Sequence, residues 1–228
     1  MQPAVVCDFD DTAAAVNVAR MLLARFGTSE TARHERDFLA GRTSFRVYQE
    51  RAFRSVEASL DEMAAHAAGH ATLRPGLAES VEAARRAGCP FAIVSSGLDF
   101  YVSAVLARHG LSDVPVVAVG TRRPAARGAP IRYDYPCGRD SCRGDWGVCK
   151  CAAIETARRN GGQVVFVGDG LRSDACAAEK ASKVFARRLL LEHCRRNGIP
   201  ATPFEDLYPL AEYLAVLRGT APGAEVNR

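Results

Sequence analysis

Ala4-Val5-Val6-Cys7-Asp8-Phe9-Asp10-Asp11-Thr12 decides how this chain is read: four small apolar residues run straight into a group of three aspartates. An apolar run of that length, bounded by polar residues, predicts a strand buried on both faces whose carboxyl end opens into a polar loop. The pattern recurs twice. Pro90-Phe91-Ala92-Ile93-Val94 leads into Ser95-Ser96-Gly97, and Gln163-Val164-Val165-Phe166-Val167 leads into Gly168-Asp169-Gly170. Residues 114–119 predict a further strand, and residues 131–135 alternate as in a hairpin or flap. Helical stretches separate them, one through Val102, Val105 and Leu106, another over residues 148–159 that carries Lys150.

Strands alternating with helices predict an α/β fold with a Rossmann-like core, a parallel sheet covered by helices on both faces. Between residues 16 and 87 strand-like runs vanish, and alanine, leucine, arginine and glutamate recur at helical spacing. That interval is too long for one crossover helix. It predicts an inserted helical cap over residues 14–88, with residues 1–13 and 89–228 forming the core.

Composition narrows the function classes. Nearly half the residues are apolar (48%) and the net charge is +4. The arginines are scattered rather than gathered with aromatics into a basic stripe, which argues against nucleic acid and suits a small anionic substrate. The start of the chain lacks a basic leader followed by an apolar stretch, and no window approaches the ~20 apolar residues of a membrane span. The expectation is a cytoplasmic protein with reduced thiols and no membrane partner. Cys7, Cys89, Cys176 and Cys194 sit among apolar or helical neighbours as small core residues. Cys137, Cys142, Cys149 and Cys151 cluster without paired Cys-x-x-Cys knuckles; the alternatives there are a structural zinc or a set of partly buried thiols. His66 and His70 stand four apart on an expected cap helix, a spacing too common in helices to mark a metal site.

In a parallel sheet, ligands sit beyond the carboxyl ends of the strands. Asp8, Ser95 and Asp169 each follow an expected strand, so one sheet edge collects all three. Asp8 and Asp10, two apart, divide naturally into a nucleophile and a general acid/base. A carboxylate that attacks a phosphoryl group needs a cation to offset like-charge repulsion. Magnesium is the natural one, with Asp8 and Asp169 as carboxylate ligands, the backbone of Asp10 as a third, and Asp174 ligating directly or through water. Ser95, Ser96 and Gly97 offer donors and close backbone approach to phosphate. Lys150 is one of only three lysines in a chain that otherwise uses arginine, and supplies a compact positive charge.

These residues, in this order, resemble the four motifs of the haloacid dehalogenase superfamily: Asp8-Phe9-Asp10-Asp11-Thr12, Ser95, Lys150, and Gly168-Asp169-Gly170-Leu171-Arg172-Ser173-Asp174. The resemblance implies an aspartyl-phosphate on Asp8, acid/base work by Asp10, phosphate contacts from Ser95 and Lys150, and metal binding by Asp8, Asp10 and Asp169. The second aspartate is the phosphatase form of the first motif. Within the superfamily the chain is most similar to the phosphoserine-phosphatase-like branch and its 2-hydroxy-3-keto-5-methylthiopentenyl-1-phosphate phosphatases, through Cys7-Asp8-Phe9-Asp10, Val94-Ser95-Ser96-Gly97-Leu98-Asp99-Phe100, Cys149-Lys150 and Phe185-Ala186-Arg187. Ser44-Phe45 followed by Arg51 resembles the cap segment in which an arginine helps hold substrate; on residue type alone Arg51 reads equally as solvated. Asp11 stands where glycine is usual, Ser96 replaces a glycine, and Cys151 replaces a proline. The expected reaction is hydrolysis of a small phosphorylated metabolite; the alternatives are a phosphotransferase sharing the first half-reaction or a phospho-acceptor module without turnover.

Overall fold

The structure, a computed structural model, describes residues 2–122, 130–136 and 144–218. Strand β1 (Ala4–Cys7) is buried along its whole length, as its unbroken apolar run requires of a strand covered on both faces. It is hydrogen-bonded in parallel to β2 (Phe91–Leu98) on one side and to β5 (Val164–Gly168) on the other, with Cys7 level with both Ile93 and Val167. Strand β3 (Val116–Arg122) continues in parallel beyond β2, and β4 (Arg132–Asp134) closes that edge antiparallel. On the far side β6 (Lys183–Ala186) and β7 (Ala201–Pro203) extend the sheet in parallel. The strand order among the described residues is β4-β3-β2-β1-β5-β6-β7. The chain runs outward from β1 to β3, then returns to place β5 against β1, so the topological switch point lies beside the end of β1.

Five helices lie between β1 and β2: α1 (Val18–Phe26), α2 (Ser29–Leu39), α3 (Phe45–Arg54), α4 (Leu60–His70) and α5 (Leu77–Ala87). Each has a start signal legible in sequence except the last. Asn17, Thr28, Ser44 and Ser59 cap α1 to α4 with side-chain oxygens, and Thr28 and Ser59 complete reciprocal capping boxes. Helices α2 and α3 pack on each other. Helix α4 lies against α6 (Asp99–Arg108), and α5 against α10 (Tyr208–Arg218), the last described helix. On the return, α7 (Lys150–Gly161) precedes β5, α8 (Ala175–Ala178) follows it, and α9 (Arg188–Arg196) follows β6.

The mostly parallel sheet with flanking helices follows the expectation, with local differences. Strand β2 continues through Ser95, Ser96 and Gly97 to Leu98 instead of ending at Val94, because pairing with β3 slips in register and resumes at Leu98–Val119. Within residues 131–135, Arg132–Asp134 do pair, as the edge strand β4. Strands β6 and β7 have no counterpart in the sequence reading; each is short, and β6 begins with a lysine.

Candidate active site

Asp8 leaves β1 with its N–H donated to the Val167 carbonyl (2.9 Å), so the end of β5 fixes where the carboxylate starts. The next residues, Phe9–Ala13, form a wide turn. Phe9, between the two aspartates, is fully buried against Tyr101 (ring centroids 6.2 Å apart). Burying such a ring contributes about 1.5–3 kcal/mol toward holding the turn. Asp11 has a left-handed backbone (φ 61°), a conformation aspartate tolerates better than most residues and one suited to the glycine usual here. Two guanidiniums converge on its carbonyl, Arg74 Nη2 at 2.6 Å and Arg187 Nη1 at 3.0 Å, and Arg74 Nε also donates to the Thr12 carbonyl (2.6 Å).

Around Asp8 the structure gathers the expected charges. The ammonium of Lys150, 2% exposed at the first turn of α7, donates to Asp8 Oδ1 and to Asp174 Oδ1. Asp174 also accepts from the backbone N–H of Asp169 (3.1 Å) and Gly170 (3.0 Å), and Thr12 Oγ1 donates to Asp169 Oδ1 (3.3 Å). Oxygens of Asp8, Asp169 and Asp174 all lie within 4.8 Å of one another, the only such cluster of potential metal ligands among the described residues. Gly168 makes the approach possible: a Cβ there would sit 2.7 Å from Asp174 Oδ2.

Asp10 stands apart from that trio. Its Oδ1 accepts from the N–H of Val18 (2.6 Å) and Ala19 (3.4 Å) at the start of α1, and its Oδ2 from the Tyr101 hydroxyl (2.7 Å). Every one of these donors orients the carboxyl. A Cβ at Gly97 would collide with the Tyr101 hydroxyl and come within 2.9 Å of Asp10 Oδ2, so glycine is needed there for this contact. Ser95 Oγ accepts from the Gly97 N–H (3.0 Å), which leaves its own proton free to donate, and Ser96 Oγ is buried without a partner. Both serines and Gly97 line the cavity with Asp8, Asp10 and Lys150.

Burial dominates the acidities. It pushes the Asp8 carboxyl up to about 8, against the pull of Lys150. A divalent cation at the same oxygens would draw it down further. Burial works against the Lys150 charge as well, but the flanking Asp174 and Asp8 carboxylates outweigh it and hold the ammonium above its usual range. Burial raises Asp10 to about 6, opposed by the Tyr101 hydrogen bond, and raises Asp169 to about 6, assisted by Asp174.

The cavity has a volume of about 580 Å³, within the usual range for small-molecule sites. Away from the carboxylates its wall combines an aromatic and aliphatic group, Leu23, Phe38, Phe45, Tyr48 and Phe53 of helices α1 to α3, with the polar side chains of Arg20 and Glu35. Phe38 and Tyr48 stack (5.0 Å, 6°), and Arg172 lies over Phe38 (4.4 Å). Gln49, buried on α3, donates to the Ser96 carbonyl (3.0 Å) and ties this wall to the end of β2.

Arg51 is exposed on α3 and is not among the residues lining the cavity. The arginines that do line it are Arg20, Arg172 and Arg188; the last pairs with Asp11 Oδ1 (3.2 Å) and Asp169 Oδ2 (3.4 Å) from a left-handed backbone (φ 49°). Arg42, Arg46 and Arg54 instead pair with Asp37, Asp145 and Glu50. Cys149 and Cys151 are buried, whereas Cys137 and Cys142 lie outside the described residues. His66 and His70 stack on each other. Sequence reasoning missed Tyr101 and Gln49: their spacing from the motifs is unremarkable, and only the fold brings them in. No helix of the described residues is long and apolar enough to cross a membrane.

Comparison with known proteins agrees with this geometry. Residues 3–182 match the model of the haloacid dehalogenase-like hydrolases. The bifunctional enzyme MtnB/MtnX of Bacillus licheniformis is 30% identical over 206 residues, which are 90% of this chain; the chain spans 47% of that longer protein. A 2-hydroxy-3-keto-5-methylthiopentenyl-1-phosphate phosphatase of Geobacillus thermodenitrificans is 28% identical over 93% of this chain and 96% of its own. Among solved structures, phosphoserine phosphatase from T. onnurineus superposes with a TM-score of 0.66 at 17% identity, over 94% of this chain and 95% of that one. A phospho-aspartyl intermediate analogue of phosphoserine phosphatase superposes at 0.64 and 18%, over 93% and 98%. Likeness at that identity speaks for the fold, and the family match for descent: this chain belongs to the haloacid dehalogenase-like hydrolase family.

Proposed function

We propose that the chain hydrolyses a small phosphomonoester with magnesium as cofactor, by way of an aspartyl-phosphate on Asp8. The observation that carries this reading is the gathering of Asp8, Lys150, Asp169 and Asp174 beside Asp10 at one sheet rim, in one cavity. Three carboxylates within 4.8 Å of one another are a hard oxygen donor set that suits a divalent cation. Asp8 and Asp169 would hold it with the Asp10 carbonyl, and Asp174 directly or through water. When bound, such an ion offsets the repulsion between an attacking carboxylate and the phosphate oxygens.

The chain's own residues perform the rest. The cavity orients the phosphate with the Ser95 and Ser96 hydroxyls, while the Lys150 ammonium neutralises charge on its oxygens. Asp8 attacks phosphorus in line; the bond to the leaving oxygen breaks, and that oxygen takes the Asp10 proton. In the second half, Asp10, now ionised, takes a proton from water as the water oxygen attacks phosphorus and releases the Asp8 carboxylate. An acidity near 6 lets one carboxyl group serve in both directions. Helices α2 and α3, which supply the aromatic wall, are the part of the insertion we assign as the lid that excludes water.

The aromatic group Phe38, Phe45, Tyr48 and Phe53 in the wall opposite the carboxylates supports a substrate whose phosphate is joined to a chain with an apolar part. The curated relatives are named for a phosphate ester bearing a methylthio group, and we propose that compound as the first substrate to try. The test is phosphate release from a panel of phosphorylated metabolites, with magnesium and after chelation, and without any acceptor alcohol. Release that needs magnesium and ranks apolar-tailed esters above phosphoserine supports the reading. Release that is indifferent to chelation contradicts it.

A further inference from the structure

One feature near the catalytic group has no part in that reaction. Cys151 Sγ donates to Cys176 Sγ across 2.9 Å, the only sulfur–sulfur contact among the described residues. Cys151 follows Lys150 directly in the first turn of α7, and Cys176 lies in α8 two residues beyond Asp174. The two helices pack together, so the thiols bridge the two elements whose ends deliver the partners of Asp8. Cys176 is the partly exposed thiol among the described cysteines, whereas Cys151 (8% exposed), Cys7, Cys89, Cys149 and Cys194 are buried.

We propose that Cys151 and Cys176 form an oxidisable dithiol, a modification site for peroxides, whose disulfide restrains Lys150 and Asp174. The sulfurs need to approach by only roughly 0.9 Å to reach the bonded separation. The Cys176 sulfur, reached from solvent, attacks one peroxide oxygen, becoming a sulfenic acid as the O–O bond breaks and the other oxygen leaves as water. The Cys151 sulfur then attacks that sulfur, the S–O bond breaks, and the oxygen departs as a second water. Two electrons pass from the thiols to the peroxide, and both thiol protons end in water. The new bond ties the first turn of α7 to α8 and holds Lys150 against Asp174, denying the ammonium the small movement needed to follow the phosphoryl oxygens.

The test treats the full chain with hydrogen peroxide, maps its peptides by mass spectrometry, and measures kcat on p-nitrophenyl phosphate. The expected map joins the Cys151 and Cys176 peptides with the loss of two hydrogens. The expected kcat falls about tenfold, less than the ~10²-fold typical of a 1 Å error at the reacting atoms themselves, and dithiothreitol restores it. Cys176→Ser keeps its kcat through the same treatment. A bond from either cysteine to Cys137, Cys142 or Cys149, or Cys176 oxidised to sulfinic acid without a bond, overturns the proposal. A joined pair with unchanged kcat overturns the restraint on Lys150. The map reads the bond without turnover, so it stands apart from the proposed phosphatase reaction.

Discussion

Removing the Tyr101 hydroxyl tests the acid/base assignment by shifting a pH profile rather than by abolishing activity. Tyr101, itself fully buried, donates to Asp10 Oδ2 at 2.7 Å, and its hydrogen bond is the largest influence holding the Asp10 acidity down against burial. A hydrogen bond to an ionised carboxylate contributes about 1.5–3 kcal/mol, and one to its neutral form about 0.5–1.5. The difference, about 1.2 kcal/mol, moves the acidity by about one unit. Tyr101→Phe keeps the ring packed against Phe9 and Phe100, so the fold is retained. Attack on an alkyl phosphomonoester requires protonated Asp10, and kcat/KM is lost as the pH rises through its acidity. In the variant that falling limb moves about one unit toward higher pH relative to wild type in the same magnesium buffer. The intermediate's breakdown requires ionised Asp10, so its rising limb moves in the same direction. Both are read from steady-state and single-turnover rates between pH 5 and 9. A limb that stays in place or moves down refutes the assignment of Asp10, or of Tyr101 as its positioning residue.

Lys150→Met leaves two buried carboxylates without their cation and is expected to cost about 3 kcal/mol in urea unfolding at pH 7, with turnover lost. The deficit is smallest near pH 5, because an acid whose acidity is raised in the fold, as Asp8 is to about 8, loses stability as the pH climbs from its unfolded value through its folded one. A deficit that grows toward low pH contradicts the ion-pair account. Gly97→Ala places a methyl group against the Tyr101 hydroxyl and Asp10, and is expected to lower kcat about 10²-fold with circular dichroism unchanged. Wild-type kcat in that variant shows that the close approach is dispensable.

How far the site was legible in sequence follows from how each residue is placed. Asp8 and Asp169 stand directly after continuous apolar runs, and such runs have little choice but to be buried parallel strands. Lys150 was legible by rarity. Tyr101 and Gln49 carry no such signal: one lies a helical turn past Gly97, the other is a polar residue on the buried face of α3, and their roles exist only once α6 and α3 are docked. Arg51 shows the opposite case, an attractive residue type in an attractive segment that ends on the exposed face of its helix. Strands β6 and β7 escaped because they are short: β6 has only three buried apolar residues, Val184 to Ala186, after a lysine, and β7 is a three-residue edge strand.

The account rests on Asp8 carrying the phosphoryl group, and the most direct measurement traps it there. p-Nitrophenyl phosphate needs no proton for its leaving group, so Asp10→Asn should still be phosphorylated but break down slowly. Acid quench and peptide mapping of that variant are predicted to find one phosphoryl group on Asp8, and none in the Asp8→Asn, Asp10→Asn double variant. A phosphoryl group on any other residue, or phosphate release by Asp8→Asn at the wild-type rate, would contradict it.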